Sequence, residues 1–283
     1  MEQHKLKQLT KSIWYLPADS STDRPVLGYI CGKQRSLAID AGNSIEHAHL
    51  FLNELIGKQL AEPAFVALTH WHWDHIFGLP AWKAPSIANE MTKDKMEEIM
   101  EFGWSDEELD QRVEQGIEIP FCADMIKKEY GQNRHIHIVP PTITYTKQAT
   151  VELGEITAEM LHVGGDHSPD SAIIFIPQEK TLFLGDCLYA NMYAEKYNYT
   201  RSALKPLLKQ ILSFDADHYI LSHQDPFCKT DFQEYAGLLL DLCEYTLFYK
   251  GNEKEIRGRL TLENGRPLND LEEELLAYFV AGY

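Results

Sequence analysis

The stretch that most narrows what this chain can become is LTHWHWDHIFG, residues 68–78. It places four metal-capable side chains, His70, His72, Asp74 and His75, within six positions, with Trp71 and Trp73 between them. Ahead of it, AFVALT has the apolar character of a buried strand. Side chains alternate along an extended chain, so His70 and His72 project to one side. Asp74 and His75 fall just past the strand end, where the chain can turn back. The bland reading of such a run is a surface loop or a closed structural zinc site. A hydrolytic zinc keeps one position open instead, and remote partners must decide between the two.

Three remote segments offer partners, each at the end of a strand-like run. GGDHSPDS presents His167 after two glycines that permit an unusual backbone path. TLFLGDCLY presents Asp186 directly after an apolar run and Gly185, and YILSHQDP presents His223. Taken singly, these would read as packed or turn residues. Together they supply what the first cluster lacks, because strand ends on one rim of a sheet can assemble a site from distant sequence. His4, His47, His49, His135, His137, His162 and His218 have no such partners and read as ordinary histidines, and Cys187 as packing.

The surrounding pattern is layered. SIWYLPA, VLGYICG and RSLAIDAG read as strands, and SIEHAHLFLNELIG as a helix capped at Asn43–Ser44 and ending at Gly57. Residues 90–130 form a charged helical insertion broken at Gly103 and Gly116. Strands are expected in HIHIVPP, ITAEMLHV, SAIIFIP, KTLFLGD and HYILSH, with a helix in RSALKPLLKQILSF and a helical tail over 230–283. This order suits an α/β architecture with helices outside sheets. With 283 residues and no Pro/Gly/Ser linker, a single domain over 1–283 is expected.

The formal net charge is −17, from 43 acidic and 26 basic residues, which disfavours non-specific nucleic-acid binding. No apolar run is long enough to span a bilayer, and MEQHKLKQLT lacks the apolar centre of a signal peptide. Five cysteines without a CxxC spacing make a disulfide framework unexpected. Cytoplasmic residence follows as the expectation.

The motif set THWHWDH, GGDHS, LGD and LSH, in that order, resembles the metallo-β-lactamase superfamily over roughly residues 10–225. The resemblance implies an αββα sandwich with a dinuclear site between its sheets. His70, His72 and His167 would then hold the first metal, and Asp74, His75 and His223 the second, with Asp186 bridging. Asp40, in LAIDAG, would support a ligand from behind. Two departures alter the loops: GGDHSPD, with Asp166 and Asp170, stands where small residues are usual, and LSHQDP replaces a glycine-flanked histidine.

Two divalent ions about 3.5–4 Å apart can share a water and hold it as hydroxide for attack on a carbonyl or phosphoryl centre. Zinc suits imidazole and carboxylate donors, and iron or manganese also fits. Asp74 could orient the hydroxide. Tyr189 stands at the Asp-x-x-Tyr spacing of the superfamily's acyl-homoserine lactonases, whose phenol donates to the developing oxyanion; against this, the chain has 14 Tyr. The bridging Asp186 argues against true β-lactamases, and His72 against the diiron branch, which carries Glu there. The full ligand set and helical C-terminus are shared with glyoxalase II-type enzymes.

A small-molecule carboxylic ester, lactone or thioester is therefore the expected substrate. Phosphodiester hydrolysis, a mononuclear iron persulfide dioxygenase and a non-catalytic metal-binding protein are the alternatives, and a homodimer stays open. Trp71 and Trp73 read as packing or as walls of the site, and the insertion, with Phe102, Trp104 and Phe121, as a lid or a groove filler.

Overall fold

The computed structural model describes residues 4–132 and 134–283. Two sheets face each other. The first contains β1 (Lys7–Gln8), β2 (Ile13–Leu16), β3 (Leu27–Cys31), β4 (Ser36–Ile39), β5 (Phe65–Ala67), β6 (Ser86–Asn89) and β7 (Ile143–Tyr145), side by side in chain order. Pairing is antiparallel as far as β4 and parallel beyond it. The second contains β8 (Gln148–Glu152), β9 (Thr157–His162), β10 (Ala172–Ile176), β11 (Thr181–Gly185), β12 (His218–Leu221) and β13 (Phe227–Cys228). Only its β11–β12 pair is parallel.

Between the sheets lies a core of Ile13, Ile30, Leu37 and Ile39 from the first against Met160, Ile174, Phe183 and Ile220 from the second. The sheets approach so closely that a Cβ on Gly28 would lie 2.6 Å from the Phe183 ring. Helices cover both outer faces. On one side are α1 (Ile45–Gly57), the single turn α2 (Trp73–Ile76) and the insertion; on the other are α6 (Arg201–Ile211) and the tail. Strand β10 is buried along its whole length, which is why its sequence is continuously apolar rather than alternating. The layers are those of an αββα sandwich.

The insertion resolves into α3 (Glu90–Ile99), α4 (Asp106–Glu114) and α5 (Pro120–Tyr130). Gly103 and Gly116 lie in the two breaks, and Ser105 and Glu108 form a capping box at the start of α4. The tail is α7 (Lys229–Phe248), α8 (Glu253–Asn264) and α9 (Asp270–Ala281). Helix α1 starts as its sequence predicts, with the Ser44 hydroxyl accepting the His47 N–H at 3.0 Å.

One expected strand is absent. HIHIVPP runs without regular structure into β7, because Pro140 and Pro141 cannot donate to a ladder. Five strands escaped the sequence reading, the short β1, β6, β7 and β13 and the edge strand β8. In β8 only Val151 is buried, so its hydrophobic pattern is faint. Among the described residues no helix is long and apolar enough to cross a membrane.

Candidate metal centre

The seven predicted ligands meet on one rim of the sandwich. After β5 the chain bends at Thr69 and runs without regular structure to His72, then makes the one-turn helix α2, which carries Asp74 and His75. His167 hangs in the β9–β10 loop, where Gly164 and Gly165 take φ of +65° and +131°. Asp186 directly follows β11. Gly185 before it has φ +54°, and a Cβ there would lie 2.8 Å from the Thr69 Cβ, so only glycine lets β11 end this close to the first cluster. His223 follows β12 by one residue.

The donors form two groups, His70–His72–His167 and Asp74–His75–Asp186–His223, with the ligating atoms of each group within 4.8 Å of one another. His72 Nδ1 lies 2.9 Å from His167 Nε2. Asp186 Oδ2 stands between the groups. It is 3.9 and 3.4 Å from Nε2 of His70 and His167, and 3.4 and 3.2 Å from Nε2 of His75 and His223. All these residues are buried except His223, which is half-buried and marks the open side.

Burial holds His70 well below the ordinary histidine range, seconded by the neighbouring imidazoles, and takes His72 down to about 3. His167 is also lowered, mainly by burial. These three imidazoles are neutral, with lone pairs available. Asp74 and Asp186 stay ionised: burial opposes their charge, but adjacent His75 and His223 outweigh it.

The atoms His70 Nε2, His75 Nε2, Asp74 Oδ2 and Asp186 Oδ1 are buried without a hydrogen bond of good geometry, although His75 Nε2 and Asp74 Oδ2 lie 2.9 Å apart. An unsatisfied buried polar group costs about 1–3 kcal/mol, and four around one point fit divalent cations better than any packing role.

The opposite ring nitrogens are anchored. Asp40 accepts the His75 Nδ1–H at 2.8 Å, the Thr69 N–H at 2.8 Å and the Thr69 hydroxyl at 2.9 Å. His70 Nδ1 lies 3.1 Å from that same hydroxyl oxygen, and His167 Nδ1 lies 3.2 Å from the Ala190 carbonyl. Each contact turns the other nitrogen toward the cluster. Asp23 does the same for His223, at 3.4 Å from its Nδ1. Its carboxyl is raised to about 7 by burial and by Asp74. TDRP reads as a plain turn, so nothing in the sequence pointed to Asp23.

The two departing aspartates are structural. Asp166 accepts the Thr200 N–H at 2.8 Å and its hydroxyl at 2.7 Å, tying the His167 loop to the start of α6. Asp170 accepts from Thr92 at 2.7 Å and Ser168 at 2.5 Å.

Around the rim, Trp73 is buried against Phe77, whereas Trp71 stands edge-on to His72 with ring centroids 4.8 Å apart. Of the insertion, Trp104 packs on Phe77. It also lines, with Phe102, Trp71 and Tyr193, a cavity of about 240 Å³. Tyr193, unforeseen in the sequence, donates to Glu118 at 3.0 Å and faces His72 at 5.6 Å. Tyr189 lies between His167 and His223, its ring 6.1 and 5.9 Å from theirs, and its oxygen accepts the His223 N–H at 3.3 Å.

A family model described as the metallo-beta-lactamase superfamily matches residues 26–223. No curated protein matches the chain. Among solved structures, the sec-alkylsulfatase Pisa1 from Pseudomonas sp. superposes with a TM-score of 0.65 at 15% identity, over 96% of this chain and 47% of that one. This chain therefore spans about half the length of that enzyme. A metallo-beta-lactamase from Pontibacter korlensis gives 0.52 at 17% identity, covering 82% and 97%. An archaeal superfamily protein from Sulfolobus tokodaii gives 0.55 at 18%, covering 82% and 87%. At such identities the likeness is one of fold, but the family match spans the four segments that carry the candidate ligands. The chain belongs to the metallo-beta-lactamase superfamily, a superfamily of metallohydrolases, and carries a His/Asp cluster able to bind metal.

Proposed function

We propose that the chain is a dinuclear metallohydrolase of carboxylic esters, lactones or thioesters, acting as one domain whose insertion and tail build the pocket. His70, His72 and His167 would hold one ion, Asp74, His75 and His223 the other, and Asp186 both. The position of Asp186 Oδ2, within 3.9 Å of four histidine nitrogens, carries this reading. Zinc suits the donor set, as do iron and manganese. Such ions supply Lewis acidity and a water activated near neutral pH.

The chain's own groups do the rest. Asp74, ionised beside His75 and His223, orients the nucleophile and accepts its hydrogen bond. Tyr189 accepts the His223 N–H, which leaves its hydroxyl proton to donate to a carbonyl oxygen as charge develops. Asp40 and Asp23 keep His75 and His223 from turning.

The substrate class is tested on a panel of acyl-homoserine lactones, simple lactones, aryl esters, glutathione thioesters, aryl phosphodiesters, alkyl sulfates and cephalosporins. Carbonyl substrates should turn over. Efficient phosphodiester or sulfate cleavage with no carbonyl hydrolysis would replace this reading.

A further inference from the structure

Tyr189 and Ala190 also form the near end of a cleft of about 1210 Å³ that runs outward beneath the helical tail. The cleft is large enough for a whole organic ligand, and Tyr189, whose ring lies 6.1 and 5.9 Å from those of His167 and His223, is a wall shared with the metal centre. Its long wall is one stripe of α7, where Asp231, Glu234, Tyr235, Leu238, Asp241 and Tyr245 recur at helical spacing. Facing them are Tyr197, Phe227 and Tyr278.

Two features of this lining bear on a ligand independently. The first is aromatic: Tyr189, Tyr197, Tyr199, Phe227, Tyr235, Tyr245 and Tyr278 line the cleft, with Phe227 stacked on Tyr235 and the Arg259 guanidinium already over the Tyr245 ring. The second is its charge. Among the described residues six carboxylates and no Lys, Arg or His line it. Glu263 and Glu272 are neutralised by Arg259 and Arg266, and Glu274 takes the Tyr278 hydroxyl. Among the described residues the tail's ion pairs leave out Asp231, Glu234 and Asp241, all three of them exposed. Asp241 is pushed up by burial and by Glu263, and Arg259 opposes that shift.

A partly enclosed cleft of one sign focuses its field and opposes entry of anions. A purely apolar ligand would use the rings but would desolvate the carboxylates without return. A positive group on an apolar body uses both, through ion pairing and through cation–π contact with tyrosine faces. We propose that the cleft binds the non-reacting arm of the substrate, and that this arm carries an ammonium group, primary to quaternary. The proposal rests on the hydrolase reading above for what happens at the other end. It sets thioesters of anionic carriers, phosphodiesters and alkyl sulfates at a disadvantage.

The test has a binding arm and a kinetic arm, both on the metal-loaded chain. Calorimetry with benzyltrimethylammonium, compared with the anion phenylacetate, measures binding without turnover. Kinetics compare choline butyrate with its neutral carbon isostere, 3,3-dimethylbutyl butyrate. The cation should bind and phenylacetate should not. The choline ester should have a KM about tenfold lower than the isostere. Glu234→Gln alone should reduce that preference, and Asp231→Asn, Glu234→Gln and Asp241→Asn together should abolish it; the single variant guards against misfolding of the triple one. Cation binding with no ester hydrolysed would keep the cleft assignment and remove the hydrolase reading. Hydrolysis of both esters with equal KM, or a preference that survives the triple variant, would overturn the cleft assignment and leave the hydrolase reading standing.

Discussion

The Asp40 carboxylate lies 2.8 Å from His75 Nδ1 and also takes the backbone N–H of Thr69, the residue that precedes His70. One buried acid thus sets the tautomer of a second-group histidine and the path of the strand end that delivers the first group. Asp40 itself sits at φ +60°, a conformation unfavourable for most side chains, which the three hydrogen bonds offset. Asp40→Ala should weaken metal binding by about 10–100-fold, read by competition against a chromogenic chelator. Undiminished affinity would mean that His75 is oriented by packing alone.

Asp186 is the next test. Asp186→Ala removes the carboxylate that lies within 3.9 Å of histidine nitrogens in both groups. Elemental analysis of the wild-type chain, purified without chelator, should give about two metals per chain, falling toward one in the variant. Turnover should collapse while the far-ultraviolet circular dichroism stays near native. Two metals with retained turnover in the variant would assign Asp186 another role.

Tyr189→Phe keeps the ring between His167 and His223 and removes only the hydroxyl. If the phenol donates to the developing oxyanion, kcat should fall about 10²–10³-fold with KM little changed, because that bond strengthens only as charge develops. An unchanged kcat would take Tyr189 out of the chemistry and with it the specific likeness to lactonases.

Glu129, on α5, ties the insertion to the loop that carries Asp23. It accepts from Arg24 at 2.7 Å and from the Ser44 hydroxyl at 2.5 Å. Burial opposes its charge, but Arg24, Ser44 and Thr22 outweigh it and lower its pKa from 4.5. A depressed carboxylate contributes stability that is present above the unfolded value and lost as pH falls through the folded one. Glu129→Gln should therefore cost about 2 kcal/mol at pH 7. Urea denaturation should show the gap between wild type and variant narrowing as pH drops below about 4.5. A gap independent of pH would mean that packing, not charge, makes the difference.

What the sequence by itself determined is the part written in local spacing. The candidate ligands His70, His72, Asp74 and His75 were legible because a strand end followed by one helical turn orients them within six residues. His167, Asp186 and His223 could be added because each ends an apolar run, and strand ends share a rim. The layered order of elements was legible from hydrophobic period, except where prolines broke HIHIVPP, where β1, β6, β7 and β13 were too short to carry a period, and where the half-exposed β8 gave a faint signal.

Only the tertiary structure decided the rest. Asp23, Tyr193 with Glu118, and the carboxylates of α7 draw their meaning from groups far along the chain or on other elements, and nothing in their own neighbourhoods distinguishes them from turn or surface residues. Coordination chemistry demands particular donors at short range and so leaves a pattern in the chain. A buried hydrogen bond to a ligand's far side, or the charge of a cleft between a sandwich and its helical tail, needs only that two distant segments meet, and that is settled by packing.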